Sequence, residues 1–398
     1  MKYSLRHITG FALLAVLSAF ALFSIYYNWS NPYSKQNKNS SNPSDSHSRE
    51  SQSSKPPVRS SQEPQSNTPP ISSSQEPQSS ISRIKPNPQP PDKRKVPEEF
   101  LKLKNKYNLV EIPTYDGSYQ LTHPKVLYFK EGWNHYQYWM SMTPYPYGND
   151  YVENPSIVVS NDGVNWITPK GLVNPVSGVP KDVKKGGHYS DSHLVMRGNT
   201  MELWYRYNPS LPNEKNLRRP DNATNIYYRK TTTDGIHWTK AQKLLQSRKG
   251  LLSLCVNYED SLYKTWYATY GGDLFYSQSK DAQNWSEPLL CNVPLPKGLY
   301  PYHQDLIKYN STYYLLQTAQ QRSNYTFRLF LFTSKDGIHF ENPQPIYPNQ
   351  NMELWEGVSF YRSTVFVKDD KLDLYISLII PRLKWYMTQT SIPLPKSD

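Results

Sequence analysis

From about Tyr115 the chain is written in short apolar and aromatic runs of strand length, separated by turns rich in Asn, Asp, Gly and Pro. His123 to Phe129 is followed by Tyr136 to Ser141, Asp191 to Met196 by Met201 to Arg206, and Leu252 to Asn257 by Tyr263 to Ala268. His303 to Lys308 is followed by Thr312 to Leu316, and a last set runs through Val358 to Arg362, Lys371 to Ser377 and Lys384 to Thr388. A third run closes each of the first four sets and ends in one turn motif: Ser160-Asn-Asp-Gly-Val-Asn-Trp166, Thr232-Thr-Asp-Gly-Ile-His-Trp238, Ser279-Lys-Asp-Ala-Gln-Asn-Trp285 and Ser334-Lys-Asp-Gly-Ile-His-Phe340. The Asp suits the start of a tight turn, where its carboxylate accepts backbone N–H groups, and Gly supplies the positive φ. One such hairpin would be unremarkable, but four in similar settings predict a repeated sheet. Four strands per unit and five units predict a β-propeller; the fifth unit shows only three, with Leu109 to Pro113 as its missing outer strand.

The N-terminus reads differently. Lys2, Arg6 and His7 lead an uncharged apolar run from Ile8 to Tyr27, about 20 residues and long enough to span a bilayer as a helix. An uncleaved anchor is expected over residues 1–27. Cleavage at Ala19-Phe20-Ala21 is the alternative, although Leu22 to Tyr27 continues the apolar stretch beyond it. The basic flank would stay inside, which puts the remaining chain on the extracytoplasmic side, at the cell surface. Residues 28–96 are Ser, Pro, Gln and Asn with a duplicated Ser-Ser-Gln-Glu-Pro-Gln-Ser unit at Ser60 and Ser73. Such a composition buries too little apolar surface to offset its ordering entropy, so a disordered spacer is expected. Residues 97–398 form the propeller domain in this reading.

Composition agrees with an all-β chain: 33 Tyr, 10 Trp and 12 Phe favour strands. The net charge of +12 includes a basic spacer and would attract any anionic polymer. No Arg/Lys-rich helix or zinc-finger spacing supports nucleic acid. Two cysteines, Cys255 and Cys291, exclude a disulfide scaffold.

These hairpins, the five units and the polar residues opening the innermost strands resemble the five-bladed propellers of the glycoside hydrolase 43/32/68/130 group, over roughly Tyr115 to Pro395. The resemblance implies a site at one end of the central channel. It also implies a base Asp on the first blade, a modulating Asp on the second and an acid Glu on the third. Asp191 matches the modulator. His123 stands where the base is expected, and Leu252 to Asn257 carries no carboxylate on the third innermost strand. A glycosidase built here must therefore draw on Asp305, Glu356 or Glu153, since the reaction needs two carboxyl groups across the scissile bond.

The candidate catalytic residues are thus Asp191, Asp305 and Glu356. The candidate substrate-binding residues are His123, Glu153, His193, His303, Arg362, Tyr189 and Trp355. A non-catalytic, surface-anchored carbohydrate-binding propeller is the alternative, because Tyr and Trp around a polar funnel suit sugar rings. His188, Asp191, His193, His303 and Asp305 include metal-ligand types but match no zinc spacing, so no metal or cofactor is expected. The partner expected is a glycan or cell-surface polysaccharide, handled by a monomer.

Overall fold

The computed structural model describes residues 95–209, 224–247, 250–348 and 356–395. The expected anchor and nearly all of the expected spacer lie outside them. Among the described residues no helix is long and apolar enough to cross a membrane.

A helix absent from the sequence reading opens the described chain: α1, Glu98–Tyr107. Glu98 and Glu99 lie in its first turn and Lys104 and Lys106 in its last, matching the helix dipole, and Asn108 closes it in a left-handed conformation. It buries Phe100 and Tyr107 against the last blade. At ten residues its periodicity is easily missed in a chain dominated by strands.

Five antiparallel sheets follow. Blade one holds β1 (Leu121–Trp133), β2 (Tyr136–Pro144) and β3 (Ser156–Ser160). Blade two holds β4 (His188–Arg197), β5 (Thr200–Asn208), β6 (Asn225–Thr232) and β7 (Gln242–Ser247). Blade three holds β8 (Leu252–Glu259), β9 (Leu262–Ala268), β10 (Leu274–Ser279) and β11 (Leu289–Leu290). Blade four holds β12 (Leu299–Tyr309), β13 (Thr312–Gln321), β14 (Thr326–Ser334) and β15 (Glu341–Pro345). Blade five holds β16 (Ser359–Phe360), β17 (Thr364–Lys368), β18 (Lys371–Ile380) and β19 (Lys384–Pro393).

Two details depart from the expected four strands each. Blade one keeps only a bridge, Val159 with Ile167, as its outer edge. In blade five the innermost strand does not end at Arg362: β16 and β17 both pair β18, interrupted at Tyr361 to Ser363. The N-terminal residues do close the ring, with Leu109 bridging Thr388 and Val110 N–H donating to Met387 O at 2.8 Å.

The core is not central. Among the described residues five separate hydrophobic clusters occur, one at each junction between neighbouring blades. The repeated turns are what make those junctions close. In every copy the Ser or Thr hydroxyl donates to the Asp carboxylate. That carboxylate then accepts the backbone N–H groups two and three residues on, as at Val164 and Asn165. The turn of one blade receives an aromatic from another: Trp139 of blade one packs on Gly235, and Trp266 of blade three donates its Nε1–H to Gly337 O at 2.7 Å. Tyr375 of blade five hydrogen-bonds Gly163 O in the turn of blade one, completing the circle.

Gly235 has φ +77°, and a Cβ there would lie 2.0 Å from the Trp139 ring. Gly235→Ala should therefore both strain the backbone and overpack the junction. A loss of about 3 kcal/mol or more is expected, read as a lower urea midpoint at unchanged slope. A midpoint equal to wild type would show that the turn does not fix this junction.

Candidate functional site

The innermost strands surround the channel, and their first residues are aimed into it by bulges. β1 slips register between Thr122 and Lys125, β4 between Ser190 and His193, and β8 between Leu252 and Cys255. The extra residues His123, Asp191 and Ser253 have φ of 55°, 49° and 53°. A bulge re-aims a side chain, and a non-glycine residue held at positive φ costs on the order of 1–3 kcal/mol. Strain repeated at three equivalent places marks the channel mouth as the part of the fold shaped by something other than stability. β12 carries a matching slip between Pro301 and His303.

The mouth tier is built around Asp191, which is 1% exposed. Arg206 Nε lies 2.8 Å from its Oδ2, and Arg362 Nη1 lies 3.5 Å from its Oδ1. His123 Nε2 and His303 Nδ1 approach Oδ1 at 3.2 Å and 3.7 Å. Burial alone would raise the Asp191 pKa, but Arg206 and the other cationic neighbours hold it well below the usual carboxylate range. Glu153 behaves oppositely. It contacts His123 Nδ1 at 2.9 Å, and burial, reinforced by the Asp191 charge, pushes its pKa well above 4.5. Two carboxyl groups flanking one imidazole are thus driven apart in acidity, Asp191 towards the ionised form and Glu153 towards the protonated one. Thr143 Oγ1 and the Asp191 backbone N–H also point at His123 Nδ1, at 3.0 Å and 3.4 Å.

A second tier lies one step further along the inner strands, with one residue from each blade: Lys125, His193, Cys255, Asp305 and Thr364. Lys125 Nζ sits 2.7 Å from Asp305 Oδ1, while Thr364 Oγ1 and Val365 N–H donate to Oδ2 at 2.7 Å and 3.0 Å. Asp305 is therefore a neutralised and hydrogen-bonded strut, and the expectation that it meets Asp191 as a catalytic partner is not met. His193 also belongs here, with Nε2 at the Val256 backbone and Nδ1 facing Arg362 Nη2 at 3.0 Å. Arg362 is fully buried and ties the two tiers together.

The remaining candidates scatter. Glu356 is exposed, in the turn before β16. Tyr189 stacks edge-on against Tyr205 and Tyr207 within blade two. Trp355 lies outside the described residues. Sequence reasoning missed Lys125 and Arg206, although each is a charge inside an otherwise apolar strand run, which is a usable signal of a buried partner. Both cysteines are buried free thiols.

Three groups among the described residues offer cation ligands, and the two buried ones differ in readiness. His193, Cys255 and Asp305 have ligand atoms within 4.8 Å of one another. Lys125 already supplies the positive charge there, and both His193 nitrogens are engaged. His123, Asp191 and His303 are equally close, but His123 Nε2 and both ring nitrogens of His303 are buried without a hydrogen-bond partner. Neutral imidazoles beside an ionised carboxylate, with nitrogens unsatisfied, are the donor set a divalent cation takes. The half-exposed Asp150 and His188 with Glu153 form a third such group at the rim.

Burial lowers the pKa of His123 to about 3 and of His188 to about 4, and holds His193 and His303 well below 6.5. The unfolded chain takes up these protons near 6.5 while the folded chain refuses them, so stability is complete above about pH 6.5 and falls as pH drops towards 4. Glu153 runs the other way from about 4.5 upward, as a single group. With chelator present, the melting temperature should fall steeply between pH 6.5 and 4. A flat profile would contradict the buried, neutral histidines.

No family model matches the chain. The fold and channel define a five-bladed propeller of the shape shared by solved glycoside hydrolases. A sucrose-6-phosphate hydrolase from Lactobacillus gasseri superposes with a TM-score of 0.51 at 13% identity, covering 75% of this chain and 64% of its own. The particular likeness that extends to sequence is to the A type blood N-acetyl-alpha-D-galactosamine deacetylase of Flavonifractor plautii, 27% identical over 294 residues. That match covers 62% of this chain and 38% of the relative, so the chain spans well under half of the relative's length. The crystal structure of an N-acetylgalactosamine deacetylase from F. plautii in complex with blood group B trisaccharide superposes with a TM-score of 0.60 at 20% identity, covering 71% of this chain and 94% of that one.

Proposed function

We propose that this chain is a carbohydrate-active enzyme that removes the N-acetyl group of an amino sugar within a glycan, and that it does so on the extracytoplasmic side, tethered by residues 1–27. The observation that carries this reading is the mouth cluster of His123, Asp191 and His303, with ligand atoms mutually within 4.8 Å and imidazole nitrogens left unsatisfied. The sequence likeness to an N-acetylgalactosamine deacetylase supports the substrate class. Glycoside hydrolysis by Asp191, Asp305 and Glu356 loses its support, because Asp305 is spent on Lys125 and Glu356 is exposed elsewhere.

His123, Asp191 and His303 would hold a divalent cation. Bound there, it supplies a Lewis acid beside the scissile amide carbonyl. Arg206 and Arg362 keep Asp191 ionised so that it remains a ligand. Burial and the Asp191 charge push Glu153 towards its protonated form. With a cation on His123 Nε2 the ring's Nδ1–H would donate to a Glu153 oxygen, leaving the carboxyl proton to act as general acid towards the departing amine. Water would add to the amide carbon, the C–N bond would break, and the nitrogen would take the Glu153 proton and leave as the sugar amine. Of the water's two protons one returns to Glu153 and the other goes to solvent as acetate departs. Thr143 fixes the His123 ring for that transfer.

The full chain, stripped with chelator and then given a divalent cation, should release acetate from an N-acetylhexosamine oligosaccharide only after the cation is restored. Equal acetate release with chelator in excess would refute the cation's part, and none under any cation would refute the deacetylase reading. Cell fractionation tests the tether: the chain should follow the membrane, not the medium.

A further inference from the structure

His123 and His303, two imidazoles with unsatisfied nitrogens, share Tyr361 as a ring neighbour, and on Tyr361 packs Trp385, whose own polar atom is also unsatisfied. Trp385 opens β19 after the turn at Pro381 to Leu383, and its backbone N–H donates to Gln120 Oε1 at 3.1 Å. Its side chain is buried, at 6% exposure, yet the indole Nε1–H has no hydrogen-bond partner. The ring stands edge-on to Tyr145 and to Tyr361, with centroids 4.8 Å apart in each case. Tyr361 occupies the interruption between β16 and β17, where its ring lies 4.2 Å from His303 and 5.6 Å from His123. Unsatisfied donors thus gather along one aromatic wall that begins at the cation cluster. A buried tryptophan N–H normally finds a partner, and an orphan is costly to keep. Tyr145 is itself half-buried on the loop that leads to Glu153, with its hydroxyl donating to Asp150 Oδ1 at 3.0 Å.

The geometry points to a sugar subsite walled by Tyr145, Tyr361 and Trp385 beside the His123–Asp191–His303 cluster, in which Trp385 Nε1–H donates to an oxygen of the bound glycan. A pyranose ring suits this wall, because its C–H face packs on aromatic rings while its hydroxyl or acetamido oxygens accept hydrogen bonds. The inference rests on the proposal that the chain handles a carbohydrate, and it specifies which side of the mouth holds the sugar. Trp385 acts through binding and touches none of the reacting groups, so it sets affinity and selectivity and leaves the chemical step alone.

Trp385→Phe keeps most of the ring and removes only the donor. Calorimetry of the full chain with an N-acetylhexosamine oligosaccharide should give a Kd about tenfold weaker, as one lost hydrogen bond implies. KM for acetate release should rise by about the same factor, with kcat within about twofold and the melting temperature unchanged. A structural role alone would lower the melting temperature and leave Kd unmoved, which overturns the subsite, as does an unchanged Kd in a normally stable variant. Wild-type binding without acetate release, weakened by Trp385→Phe, would sink the deacetylase reading and keep the subsite. Acetate release with equal KM in both proteins would do the reverse. A wild-type chain that binds no glycan would overturn the subsite.

Discussion

Asp191→Asn should abolish turnover and destabilise the protein at the same time, whereas Glu153→Gln should abolish turnover and leave stability almost untouched. The difference follows from their charge states. Asp191 is ionised against Arg206 and Arg362, both inside the channel. Removing its charge leaves two buried guanidinium groups uncompensated, at a cost of about 3–5 kcal/mol. It also removes a cation ligand, so kcat should drop on the order of a thousandfold or more, measured at a temperature where the variant remains folded. Burial and the Asp191 charge push Glu153 towards its protonated, neutral form. Gln reproduces its shape and neutrality, so the melting temperature should hold, while loss of the transferable proton should lower kcat by about a hundredfold or more. Equal destabilisation of the two variants would show that Glu153 is ionised after all. A fully active Asp191→Asn enzyme would remove the chemistry from this end of the channel.

The deeper tier supports a second large effect. Lys125→Met leaves Asp305 as an uncompensated carboxylate at 1% exposure and should cost about 3–5 kcal/mol in urea denaturation. Adding Asp305→Asn removes that charge while keeping an oxygen for the Thr364 and Val365 donors. The double variant should therefore recover at least half of the loss, a coupling that only neighbours show. Additive losses would mean that the pair is not the strut described.

The propeller was legible because its repeat is local. A hydroxyl, a carboxylate and a positive-φ residue must stand at fixed spacing for the hairpin to form, and four copies are hard to mistake. That the hairpin also receives an aromatic from another blade, as Gly235 receives Trp139, is a tertiary fact that no spacing carries. The site was half legible for the same reason. His123, Asp191 and His303 open strands, so their positions are set by the repeat, and they do meet. Asp305 lies two residues beyond His303, and that short step moves it down a tier to Lys125. The pairing between them is regular, so ordinary strand rise of about 6–7 Å separates them; what no local pattern supplied is the partner, Lys125 on another blade. Glu356 was expected just ahead of the fifth innermost strand, and β16 does begin close after it, at Ser359; Glu356 itself is an exposed turn residue. The helix at Glu98 was hidden by its brevity.

The most direct measurement is product analysis by mass spectrometry and NMR after the full chain, supplied with a divalent cation, has acted on an oligosaccharide containing an internal N-acetylhexosamine. Loss of one acetyl group with every glycosidic bond intact is the predicted result. A shortened oligosaccharide that keeps its acetyl groups would contradict the account and return the channel to glycoside hydrolysis.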